Sequence, residues 1–142
     1  MNTKKFWIAF VVVFVLLELM NYLIHGVILS STYSEEGVKQ LFRPQEEMQS
    51  KIWIIWLTDL IWAFFFVFIF VKGYENKGII EGVKYGVYIG LFFGLVMSYQ
   101  GYAMSPMPYS LALTWFLVSF VQCIILGVAA SAIYKPKAAV VS

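Results

Sequence analysis

Charge is scarce in this chain. Only 13% of its 142 residues are Asp, Glu, Lys or Arg, about half the share usual in a soluble domain. That shortage excludes an ordinary water-facing surface. The net charge of +2 is too small to argue for nucleic acid. Cysteine is almost absent. Cys123 stands alone, so one chain forms no disulfide and no Cys-based metal or redox centre. Its place in an apolar run reads as a small hydrophobic filler. His25 is the only histidine. There is no HExxH, no DxD and no Ser-His-Asp set, so no catalytic or metal-ligating residue is assigned. No cofactor is expected. A lone histidine allows at most one axial ligand to a haem or chlorin, and His25 would be it.

What is present is apolar. Hydrophobic residues make up 61% of the chain and aromatics 19%. They gather in four blocks, 6–30, 52–71, 79–103 and 108–133. A helix needs roughly 20 apolar residues to cross ~30 Å of hydrocarbon. Each block reaches that length. A closed barrel would need at least about eight short alternating strands, which are missing. The expected fold is an all-α membrane protein: one domain over 1–142, four transmembrane helices in an up-down bundle. The first block is read as a retained span. Lys4 and Lys5 would suit a signal peptide, but Glu18 interrupts the apolar run and "ILSSTYS" is a poor cleavage site.

The cations are unevenly placed. Lys4, Lys5, Lys72, Lys77, Lys84, Lys135 and Lys137 fall on one side of the spans. Lys39, Arg43 and Lys51 fall on the other, among Glu35, Glu36, Glu46 and Glu47. The positive-inside rule then puts both termini in the cytoplasm, in a multi-pass protein of the inner (cytoplasmic) membrane. The outer loop, 31–51, is expected to hold a short amphipathic helix over "SEEGVKQLFR". Ser34 would cap it, and Val38, Leu41 and Phe42 would share one face. Pro44 reads as the start of the next helix.

Gly78, Gly82, Gly86, Gly90 and Gly94 recur every fourth residue in the third block, and Ser98 continues the row. Four-residue spacing puts them on one ridge. In lipid, such a ridge lets another helix approach closely. The spacing is wrong for a phosphate-binding loop. The partner is either the fourth span, with Gly127, Ala130 and Ser131, or the same face in a homo-oligomer or larger membrane complex.

Polar residues inside the blocks are the main clue to function. Glu18, Asn21, Tyr22 and His25 fall at i, i+3, i+4 and i+7, which makes one stripe. Lipid cannot satisfy that stripe, so it must face protein or water. Counting depth from the span ends places Asp59 near Tyr22, where it is best placed to pair with His25. Trp115, Ser119 and Gln122 form a second stripe descending to the level of Glu18. Thr58, Trp62 and Gln100 would close the set. Glu18 and His25 are two turns apart, about 10 Å along the axis, too far to share one metal ion.

Three readings fit these residues. They bond helices together, at ~0.6–2 kcal/mol each. Or they line an outward-facing pocket in a ligand-binding protein or non-catalytic accessory subunit. Or the two intramembrane carboxylates serve a proton-coupled small-solute transporter acting as a homodimer.

Overall fold

The computed structural model describes residues 2–135. Lys137, one of the cations used for orientation, lies outside them. The first helix opens on Asn2, whose side chain accepts from the Lys5 N–H at 3.1 Å. This satisfies one of the free donors at the start of α1 (Thr3–Asn21). The helix then widens into a π-helical segment, Tyr22–Ile28. Two short helices follow, α2 (Ser30–Ser34) and α3 (Glu36–Lys39). The long α4 (Gln45–Lys72) starts behind Pro44, with Glu46 and Glu47 in its first turn. α5 (Ile79–Ile89), a second π-helical segment (Gly90–Leu95) and α6 (Val96–Met104) form one continuous rod. α7 (Tyr109–Tyr134) ends the described chain.

Among the described residues there is no strand. Four helices are long and apolar enough to cross a membrane: Thr3–Ile28, Gln45–Lys72, Ile79–Met104 and Tyr109–Tyr134. The second is longer than its apolar block, because the polar stretch after Pro44 is already helical. The loop helix expected from Ser34 onward is shorter, Glu36–Lys39, and a separate helix ends at Ser34. Ser34 Oγ donates back to the Ser30 carbonyl at 2.9 Å, so it serves α2 and does not cap a new helix. Glu35 takes extended backbone and breaks the run. The apolar face of this loop is used as expected. Val38 is buried, and with Leu41 and Phe42 it packs on Met107, Leu111 and Ala112.

α1 packs against α4 and α7, and α7 also runs along α5 and α6. Phe6, Ala9, Val13 and Leu17 repeat at helical spacing and fill the core with Ala63, Phe66, Val67, Phe70, Leu126 and Ala130. The Asn2 N–H donates to the Tyr134 hydroxyl at 2.9 Å, and Tyr74 meets the Tyr134 ring at 5.3 Å. The start of α1, the end of α7 and the 73–78 turn therefore share one end of the bundle. Within that turn the Glu81 carboxylate accepts from the Glu75 and Lys77 N–H groups, at 2.5 Å and 2.9 Å. Asn76 takes positive φ there.

The two long-helix contacts of α5 differ in kind. Toward α4 it reaches with aromatics: Tyr85 packs on Phe66 and Phe70 and donates to the Phe66 carbonyl at 2.7 Å. Toward α7 it presents the glycine row. A Cβ at Gly82 would overlap the Gly127 carbonyl oxygen, and one at Gly86 would overlap that of Cys123. At Gly90 the new atom would lie 2.9 Å from the Phe120 ring, and at Gly94 3.1 Å from Ser119 Cβ. Ser98 is buried too. Of the two partners the spacing allowed, α7 of the same chain is the one that covers this ridge. Gly78 is not part of it. It precedes α5 at φ 74°, with open space where a Cβ would be.

Beyond Asp59 toward the loop end, α4 stands apart from the bundle. Every residue from Ile52 to Thr58 is exposed. The large side chains there, Trp53 and Trp56 among them, suit a lipid environment and need no water-facing account.

Candidate functional site

Three helices meet through side-chain amides. Asp59 sits midway along α4 and Gln122 midway along α7. Asn21, the last residue of α1, lies between them. Asn21 Nδ2 donates to Asp59 Oδ2 at 3.0 Å. Gln122 Nε2 donates to Asn21 Oδ1 at 2.9 Å. A carboxylate offers only acceptors, so Asp59 dictates the orientation of both amides. Asn21 must turn its NH2 to Asp59, which turns its oxygen to Gln122. Gln122 must then present its NH2 to Asn21. What remains is Gln122 Oε1, an acceptor with no partner in the relay.

Glu18 lies one turn before Asn21, and its carboxyl is next to that of Asp59. Glu18 Oε1 is buried without a hydrogen-bond partner. A proton held between the two carboxyls would satisfy both groups.

A second polar chain lies nearer the loop end. Trp115 Nε1 donates to the Tyr33 hydroxyl at 2.9 Å. The Tyr33 oxygen lies 2.6 Å from His25 Nδ1. Burial pushes the Tyr33 hydroxyl up from its ordinary range, with the Trp115 N–H opposing, so Tyr33 keeps its proton. The hydroxyl accepts from Trp115 and donates to His25, which makes Nδ1 an acceptor. The His25 and Tyr33 rings are nearly parallel, 9° apart with centroids at 6.0 Å.

The expected His25–Asp59 pair is therefore not formed. Each residue has taken another partner: His25 binds Tyr33, and Asp59 binds Asn21. The π-helical segment explains why. Its wider turn changes the angle per residue after Asn21, so α-helical spacing no longer carries the Glu18 face forward. Tyr22 is 69% exposed on the outer surface. Its ring packs beneath Gly26 instead.

Of the other residues on the polar stripes, Ser119 faces Gly94, and Trp62 stacks on Phe66 with centroids at 4.8 Å. Gln100 and Thr58 are exposed, and Thr58 bonds back to its own helix. The structure thus joins Glu18, Asn21, Asp59 and Gln122 in one group, and His25 and Trp115 in another. Tyr33 completes the second group and was not among the residues singled out in the sequence. Its only mark there is an aromatic in a polar loop, which is also how an interfacial anchor looks.

Gln122 also lines a groove of about 380 Å³ between the outer part of the first span, chiefly its π-helical segment, and α7. The rest of its wall is apolar: Met20, Leu23, Ile24 and Ile28 on one side, Leu117, Val118, Val121 and Ile125 on the other. Among the described residues no three His, Cys, Asp or Glu side chains come together as a metal-ligand group.

No protein-family model matches the chain. No curated protein and no solved structure matches it either. The relay and the groove are then the observations that bear on function.

Proposed function

We propose that this chain is a small, non-catalytic ligand-binding protein of the cell membrane, free-standing or an accessory subunit of a larger complex. Both termini face the cytoplasm, and the pocket serves the outer side. The observation that carries the reading is the relay from Asp59 through Asn21 to Gln122, which ends on a residue lining the groove. Polar groups that only fasten helices would saturate one another. This relay leaves the Gln122 acceptor over at one end.

Native mass spectrometry from mild detergent tests it. The wild-type protein is expected to carry a retained non-protein mass, lost in Asp59→Leu and Gln122→Leu variants that remain folded. Identical spectra for all three, with no retained mass, would overturn the reading. Because the glycine ridge is covered by α7, any subunit contact in this account uses other faces, such as the exposed Ile52–Thr58 stretch.

A second reading, proton-coupled transport by a homodimer, is favoured by the two adjacent carboxyls. A proton on Asp59 would let it donate to Asn21 Oδ1. Asn21 and Gln122 would then both turn over, which reverses the hydrogen-bond direction of the relay. Protonation at one helix would be read as hydrogen-bond direction at another. The titratable group beside Asp59 is Glu18, and His25 acts on Asp59 only through its charge at a distance. Substrate-dependent proton flux in proteoliposomes supports this reading, and its absence with a bound ligand present leaves simple binding.

A further inference from the structure

We propose that the His25–Tyr33 contact is a latch on the loop helices α2 and α3, closed while His25 is neutral and opened when the medium on the loop side protonates it. Neither Gln122 nor the groove takes part, so the latch is independent of the ligand reading. Three features of the contact carry the inference.

The first is the direction of its bonds. The Tyr33 hydroxyl accepts the Trp115 N–H at 2.9 Å and lies 2.6 Å from His25 Nδ1. The hydroxyl has one proton to give, and it goes to Nδ1. A protonated imidazole carries N–H on both nitrogens and accepts nothing. Trp115 Nε1 and His25 Nδ1 would then both aim donors at one oxygen, and the hydroxyl proton would lose its acceptor. Stranding a donor costs more than replacing both partners with apolar groups. The closed latch is therefore present above the titration of His25 and lost as pH falls through it.

The second is how little else of a polar kind holds the loop. Ser30 and Ser34 bond only within their own turn. Among the described residues, Tyr33 is the one side chain of α2 or α3 that bonds to a distant residue. The rest of the hold is apolar, from Val38, Leu41 and Phe42 on Met107, Leu111 and Ala112. α2 and α3 have five and four residues, too few to persist as helices without such contacts.

The third is the placing of His25. It is exposed, near the loop end of the first span, so protons reach it from that side. The π-helical segment that carries it has no buried residue, so it can yield without opening the core. Tyr33 of α2 is the titratable group bonded to His25, and Asp59 of α4 acts on it through charge alone. α7 contributes Trp115, which does not titrate. Glu35, Glu36 and Lys39 of the loop are exposed, and no side-chain hydrogen bond joins them to His25. Histidine is the side chain whose ordinary range lies between pH 5 and 8, which sets where the latch works. Opening lifts α2 and α3 from the start of α7 and uncovers Trp115, about 10 Å along that helix from Gln122.

The experiment uses the untagged full chain in phosphatidylcholine nanodiscs. Hydrogen exchange is followed by mass spectrometry from pH 8 to pH 5.5, with labelling times corrected for the intrinsic pH dependence of amide exchange. Residues 30–42 are expected to lose about tenfold in protection on acidification, the scale of one hydrogen bond, while α5 stays unchanged. His25 is the only histidine, so its ¹⁵N ring signals are unambiguous, and their titration midpoint should coincide with that of loop release. His25→Gln should show no step with pH. Tyr33→Phe should show the loosened loop at both ends of the range. Equal corrected protection of the wild-type loop at pH 8 and pH 5.5 overturns the latch. So does a step that survives in His25→Gln or Tyr33→Phe, or a loop midpoint that differs from that of the ring. The wild-type midpoints decide the matter even where a variant fails to fold.

Discussion

Asn21 Nδ2 lies 3.0 Å from Asp59 Oδ2 and ties the end of α1 to the middle of α4. The same side chain accepts from Gln122 of α7. The contact thus sets hydrogen-bond direction across three helices, and its energetic signature is measurable.

In a double-mutant cycle on unfolding in mild detergent, Asn21→Leu and Asp59→Leu should couple by ~0.6–1.7 kcal/mol, the range found for such bonds within membranes. Either single change strands its partner. A cycle between His25 and Asp59 should instead be additive within ~0.3–0.5 kcal/mol. Coupling in the second cycle and none in the first would return the pairing to the one read from depth alone.

The glycine row gives a sharper test. At Gly82 and Gly86 the atoms in the way are backbone of α7, which cannot rotate aside. Gly82→Ala or Gly86→Ala should destabilise by ~1–3 kcal/mol, the usual cost of overpacking. Gly37→Ala, where the space is open, should change stability by less than about 0.5 kcal/mol. A thermal melt that ranks the three alike would mean α5 and α7 are not in close contact.

Tyr33→Phe keeps the ring and removes the hydroxyl that joins Trp115 to His25. The expected loss is about 1 kcal/mol, confined to the loop end. Hydrogen exchange should rise across residues 30–42 and stay unchanged in α5. Unchanged exchange in the loop would show that Tyr33 does not hold it down.

Orientation is tested separately. A reporter inserted at Gly78 should read cytoplasmic, and one at Gly37 should read external. The reverse result would invert the account without altering its contacts.

Much of this arrangement was legible from residue order. Apolar block length marked the four long helices, and four-residue glycine spacing marked the face of α5 that α7 covers. Counting depth along opposed spans put Asp59 near Tyr22 and Gln122 near Glu18, whereas the structure joins both to Asn21. The rest failed for physical reasons. The π-helical turn from Tyr22 to Ile28 has no composition that marks it, and it moved Tyr22 and His25 off the expected stripe. Tyr33 was hidden because loop aromatics usually anchor at the interface. Gly78 shared the spacing of the row but precedes the helix, where periodicity means nothing. Ser119 kept its helical register and was spent on the Gly94 contact.

The most direct test of the central claim, that Asp59 sets the hydrogen-bond direction from Gln122 through Asn21, is the side-chain amide spectrum of Asn21 and Gln122 in ¹⁵N-labelled protein. Both NH2 groups should be protected from exchange in the wild type, since each donates a hydrogen bond. Asp59→Leu should shift both signals and release both protections, although Gln122 does not touch Asp59. A Gln122 signal that stays in place in a folded Asp59→Leu variant would contradict the account.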